Sequence, residues 1–280
     1  LDQHLVNLHL LRQLLSGNLN TFIWNIGYGM DLYANFAYYI FGDFPSFIVM
    51  LFPVNRLDIA YTVINLLRIY LVGISFLIYM SNKKYQDDNI LIGCLLYTFS
   101  SFCLFAMARH PFFLNSMILF PIVLLSMENF IEKNNKTFFT LMIAIMFLSS
   151  FYFGYMLSVI IIIYAFIYCR KLHLSSKETM HKFVIAFLCA IVGVMMAMVV
   201  LLPTFEAFLA SPRTSHSLYL YPLDYYPRLL ASLISTKNTG NWSLIGVSSI
   251  ILITLGIIIR YNNRTLLLNI ITIISSLIIN

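Results

Sequence analysis

Six side chains in this sequence are placed to do chemistry, Asp2, Asp31, Arg109, His110 and Arg213 at a membrane boundary and Arg68 inside a span. Between them they could move a proton and hold an anion. A carboxylate can take a proton from an alcohol, and an imidazole can act as base, metal ligand or hydrogen-bonding group for phosphate. A guanidinium grips phosphate oxygens in a fork. Each residue also has a plainer reading. Asp2 suits a helix N-terminus, and Asp31, after Gly27-Tyr28-Gly29, is either a second acid or a cap. Asp43, between Gly42 and Pro45, reads as turn chemistry. Arg68 lies roughly 16 Å into an apolar run that begins near residue 57, too deep to snorkel easily. It calls for a cavity, an acidic partner or an anionic lipid phosphate. Arg109-His110-Pro111 makes a tight turn between two apolar runs, and Glu206 and Arg213 flank the exit of another.

The elements that must position these groups are membrane spans. Apolar residues make up 60% of the 280-residue chain and charged residues 10%, with a mean hydropathy of +0.86. A soluble domain carries about 25% charged residues, so the bilayer must be the main solvent here. A span needs about 20 apolar residues, which predicts spans near 57–80, 89–107, 112–131, 183–202, 244–259 and 266–280. The long run 138–169 is expected to be two short helices folded back at Gly154. About eight spans result, divided into an external segment 1–56 with interfacial or re-entrant helices, a six-span core 57–202, an external loop 203–243 and two further spans in 244–280. Within the first segment, 4–15 has an apolar helical face ended by Ser16-Gly17-Asn18, and 31–53 suggests two short pieces.

Charge then orients the bundle. Lys83, Lys84, Lys133, Lys136, Arg170, Lys171, Lys177, Lys182, Arg260 and Arg264 fall on one side of this arrangement. That side is cytoplasmic, because positive charge near span ends is retained there. Asp2, Asp31, Arg109, His110 and Arg213 are thereby placed outside. The net charge of +6 is explained by topology, and nucleic acid is not an expected partner. The four cysteines lie in apolar runs without a C-x-x-C pair, so neither a disulfide nor a metal–thiolate site is expected. No internal repeat, P-loop, G-x-G-x-x-G, H-E-x-x-H or G-x-S-x-G is present, which leaves a nucleotide-using cytoplasmic enzyme unsupported. The start at Leu1 without Met or leader suggests a fragment lacking a first span, and the end at Asn280 suggests further chain beyond it.

Several stretches in order, "LDQHLVNLHLLRQLLSGN", "WNIGYGMD", "LLRIYLVGISFLIYM", "ARHPFFLNSMILFPIVLLSMENFI", "SSFYFGYM" and "LLPTFEAFLASPR", resemble the YfhO-type bacterial membrane proteins. The resemblance is weakest over 214–280. It implies an all-α polytopic fold similar to GT-C glycosyltransferases, in the bacterial cytoplasmic membrane with an external active face. The implied reaction moves a sugar from a polyprenyl-phosphate donor to an envelope polymer such as lipoteichoic acid, in a Gram-positive cell. The resemblance makes Asp2 the acid after the first span, acting as base or metal partner. It matches Arg68 to the basic residue of the next family span and His110-Pro111 to the external turn. In the expected mechanism Arg68, Arg109 and Arg213 bind the donor phosphate, and His110 orients it or takes part in proton transfer. Besides membrane lipid, the expected partners are the donor and the acceptor polymer; the resemblance specifies no cofactor and leaves a divalent metal open. Two departures are notable: Asn115 where an Asp is expected after the His-Pro turn, and Ser150 where an Asn is expected. A lipid-linked sugar flippase or transporter, and a non-catalytic assembly partner, are the alternative readings.

Overall fold

In a computed structural model, residues 2–24, 29–83 and 85–209 are described. Nearly all of this is helix. Helix α1 (Asp2–Leu15) leads to a short antiparallel pair, β1 (Phe22–Ile23) with β2 (Met30–Asp31), and then α2 (Leu32–Ile40). A 3-10 run, Phe44–Leu51, and a 3-10 turn, Val54–Arg56, bring the chain to α3 (Leu57–Ser81). After it come α4 (Asp87–Thr98), α5 (Ser101–Arg109), the 3-10 turn Pro111–Phe113, α6 (Leu114–Lys133), α7 (Lys136–Ser149), α8 (Phe151–Lys171) and α9 (Ser176–Leu209).

Among the described residues, five helical stretches are long and apolar enough to cross a membrane: Val54–Ser81, Asp87–Arg109, Pro111–Lys133, Phe151–Lys171 and Ser176–Ala207. A shorter apolar helix, Lys136–Ser149, accompanies them. This is an all-α polytopic membrane protein. The two expected spans in 244–280 lie outside the described residues. The long run 138–169 does divide in two, but at Ser150 and not at Gly154. Ser150 is extended (φ −164°, ψ 122°), and its hydroxyl accepts the Phe153 N–H to start α8. Gly154 instead lies inside α8, where a β-carbon would come within 2.9 Å of the Phe147 ring. The glycine serves close packing, and the serine makes the break. Helix α9 continues to Leu209, into the stretch expected as loop from residue 203.

Helix α6 is the centre of the bundle: 78% of its spanning window is buried, against 22% for α9. It packs on α3, α5, α7 and α8. In lipid there is little hydrophobic gain in pairing helices, so close fit and polar contacts must hold them. At Gly193 of α9 a β-carbon would meet the Thr140 carbonyl at 2.8 Å, so this glycine lets α7 and α9 touch.

Two prolines interrupt the long helices, and each freed carbonyl has found a tyrosine. Pro121 in α6 cannot donate to the Met117 carbonyl four residues back. The Tyr97 hydroxyl from α4 donates to it at 2.8 Å. Pro203 in α9 likewise leaves the Val199 carbonyl, which accepts the Tyr33 hydroxyl from α2. In hydrocarbon an unsatisfied carbonyl is costly, so these side chains are what let the prolines persist.

The lysine-bearing end of the bundle is tied by a second buried polar group. Glu128 of α6 accepts from Lys83 and from the Tyr79 and Tyr164 hydroxyls, while Tyr168 donates to Glu132. Lys83 also lies over the Tyr79 and Tyr168 rings. These contacts draw α3, α6 and α8 together at that end.

Candidate functional site

At the opposite end, α1 and the segment 32–56 form a cap on the bundle. The cap has its own apolar cluster, with Leu8, Leu11, Ile23, Leu32, Ile40, Val49, Ala60 and Ile64. The spanning helices form the other cluster, which begins on α3 at Val72. Arg68 stands between Ile64 and Val72 on the same face of α3, one turn from each. It therefore lies at the seam of the two cores.

The seam is polar. Arg68 is 3% exposed, and its Nη2 pairs with Asp43 Oδ2 and donates to Ser46 Oγ at 3.0 Å. Its Nη1 donates to Asn65 Oδ1 at 2.6 Å. Ser46 donates to Asp43 Oδ2, and Asn115 Nδ2 of α6 donates to Asp43 Oδ1 at 2.8 Å. Arg68 Nε and Asn115 Oδ1 are buried without a hydrogen-bond partner among the described residues. Local backbone explains why Asp43 reaches this point. Gly42 passes so near the end of α7 that a β-carbon would lie 2.6 Å from the Leu148 carbonyl and 2.7 Å from that of Ser149. Only glycine permits this approach. Pro45 then starts the 3-10 run that brings Ser46 beside Asp43.

Sequence reasoning took Asp43 for turn chemistry, yet it is the carboxylate that Arg68 required. The available signal was the depth of Arg68, which called for a cavity, an acid or an anionic lipid phosphate, and the structure supplies the acid. Asn115 also gains a reason. An Asp at this position would set a second carboxylate against Asp43 Oδ1, whereas the amide donates to it.

A cavity of about 30 Å³ opens beside the pair. Asn7, Asp43, Ser46, Arg68 and Ile64 line it, with His4, Tyr61 and Phe112 among its aromatic walls. His4 stacks on Tyr61 (ring centroids 6.4 Å) and meets His110 edge-on at 5.9 Å. Its Nε2 also bonds the Arg109 carbonyl at 2.9 Å, fastening α1 to the His110 turn. Desolvation, reinforced by the nearby His4 and Arg109, lowers the His110 pKa from its ordinary value. At neutral pH His110 is therefore an uncharged hydrogen-bonding group.

The remaining expected residues are distributed as follows. Arg109 is exposed on the last turn of α5, beside His110. Asp31 caps α2 by accepting the Tyr33 N–H at 2.9 Å, and is not among the cavity residues. Asp2 opens α1, two residues before His4, but its side chain lies outside the described residues, as does the whole of Arg213. Glu206, its expected partner, is exposed on α9. Arg68, expected to bind phosphate, already has its charge balanced by Asp43. Among the described residues no group of three or more His, Cys, Asp or Glu side chains is arranged to hold a metal ion. The arrangement thus offers a small polar recess with a compensated ion pair at its floor, aromatic rings at its walls, and a cationic, imidazole-bearing turn beside it.

No curated protein and no solved structure matches the chain. The family model described as "Bacterial membrane protein YfhO" matches residues 1–280, and the chain belongs to that family.

Proposed function

We propose that this protein is an integral-membrane glycosyltransferase. It moves a sugar from a polyprenyl phosphate to a cell-envelope polymer, such as lipoteichoic acid, on the external face of the cytoplasmic membrane. The observation that carries this reading is the recess at the His110 end, bordered by α1 and by Pro111 and Phe112, which follow His110. The family assignment and the resemblance to GT-C enzymes support it. So does the concentration of lysines at the other end, which favours an external position for the recess.

In this reading the Asp2 carboxylate takes the proton of an acceptor hydroxyl. The acceptor oxygen bonds to the anomeric carbon as the bond from that carbon to the phosphate oxygen breaks. Polyprenyl phosphate leaves with the electron pair. Arg109 and Arg213 stabilise the charge gathering on the phosphate, and neutral His110 orients it by hydrogen bonding. Arg68 reaches the phosphate only if its pair with Asp43 opens; with the pair closed it shapes the floor of the site. A divalent metal, if used, would join Asp2 at the donor phosphate.

Purified protein incubated in detergent with radiolabelled glycosyl-polyprenyl phosphate and acceptor polymer tests the reading. Label should pass to polymer, and Asp2→Asn should reduce the rate at least 100-fold, as expected for loss of a general base. Full transfer by the variant would remove Asp2 from the mechanism. Titration with EDTA reads metal dependence in the same assay.

A further inference from the structure

We infer that the recess beside Asp43 and Arg68 is a subsite for a neutral hydroxyl-bearing group, not for phosphate. The inference deepens the transferase reading and rests on it for the source of the ligand. Three observations carry it.

The first is charge. The Arg68 guanidinium and the Asp43 carboxylate, both nearly buried, are paired, so the floor has no net charge to offer an anion. The second is the hydrogen-bonding capacity left over. An ionised carboxylate accepts about four hydrogen bonds. Asp43 spends its Oδ2 on Arg68 and Ser46 and its Oδ1 on Asn115, which leaves room for one more donor at Oδ1. A hydroxyl both donates and accepts, so it can donate to Asp43 Oδ1 and accept from the Asn7 amide, both residues lining the recess. The phosphodiester of a polyprenyl-phosphate sugar only accepts, and its negative charge would be repelled by Asp43.

The third observation is size and lining. About 30 Å³ holds roughly two water-sized groups, enough for a hydroxyl or hydroxymethyl arm but not for a whole ring. The polar residues Asn7 and Tyr61 also line the recess. The stacked His4 and Tyr61 rings, with Phe112, supply flat apolar surface for the carbon skeleton that carries the arm. A polyol of either origin fits, whether from the transferred sugar or from a glycerol unit of the acceptor.

The test uses the full chain in nanodiscs and saturation-transfer NMR with three probes: methyl β-D-glucopyranoside, glycerol and inorganic phosphate. Wild-type protein should bind at least one of the neutral probes, and the stronger one names the source. Asn7→Ala and Tyr61→Phe, with unfolding midpoints checked, should each weaken that binding about three- to tenfold, the loss of one hydrogen bond. Phosphate binding should be unchanged in both and should fall in Arg109→Gln. The inference is overturned if neither neutral probe binds, if both variants bind as wild type does, or if phosphate displaces the neutral probe and is itself lost in these variants. The transferase assay is a separate readout. Sugar transfer without neutral-probe binding would sink the subsite alone, and probe binding without transfer would sink the transferase reading alone.

Discussion

Replacing Asp43 with Asn removes one charge from the seam while keeping the side chain's size. The Arg68 guanidinium then stays 3% exposed with no anion beside it. Breaking a buried pair by neutralising one partner typically costs about 3–5 kcal/mol, because the remaining charge is stranded away from water. Asn retains an acceptor oxygen for Arg68 or Ser46, which places the expected loss near the lower end, about 3 kcal/mol. The loss should be specific to charge. Ser46→Ala, which removes one hydroxyl from the same cluster, should cost only about 1 kcal/mol. The double variant Asp43→Asn/Arg68→Gln has no charge left to strand, and should be more stable than Asp43→Asn alone by about 2 kcal/mol. Equilibrium unfolding in mixed micelles, followed by far-UV circular dichroism, measures all four proteins. An Asp43→Asn protein within 0.5 kcal/mol of wild type, or a double variant no better than the single, would refute the buried pair.

Three further outcomes follow from other contacts. Tyr97→Phe should destabilise by about 1–2 kcal/mol, because the Met117 carbonyl loses its donor; adding Pro121→Ala, which restores a backbone N–H, should remove most of that loss in the same unfolding assay. Gly42→Ala must push its segment off the Leu148 and Ser149 carbonyls, so it should cost about 1–3 kcal/mol and, by moving Asp43, accelerate proteolysis of the 40–56 region. The lowered pKa of His110 means the unfolded chain binds its proton more readily than the folded one. Stability from this residue is therefore complete above the unfolded value near 6.5 and falls as pH drops through the folded pKa, and His110→Asn should flatten that part of the stability–pH curve.

Much of the bundle could be read from apolar run length, because a helix in lipid must satisfy its own backbone. The amphipathic pattern of 4–15 likewise marked α1, and positive φ at Gly17 ends it. Positions governed by distant partners were harder. The division of 138–169 was expected at the glycine, but Ser150 supplies an N-cap and Gly154 accommodates Phe147, a contact that no local signal reveals. Asp43 looked like a turn residue because its partners Arg68 and Asn115 lie 25 and 72 positions away. The depth of Arg68 marks a need for compensation, but a cavity, an acid or a lipid phosphate would each meet it. Glu128 gathers Lys83, Tyr79 and Tyr164, which no local feature of the sequence around it reveals. Pro121 and Pro203 each remove a helix bond, and only packing could show that Tyr97 and Tyr33 repair the loss.

The central claim is that chemistry, and not passage of lipid, occurs at the His110 end. Sealed right-side-out vesicles containing the full-length protein, given labelled glycosyl-polyprenyl phosphate and acceptor polymer outside only, test it most directly. The expected result is labelled polymer outside, with no labelled lipid reaching the inner leaflet and no product from Asp2→Asn. Labelled lipid crossing to the inner leaflet while the polymer stays unlabelled would contradict it.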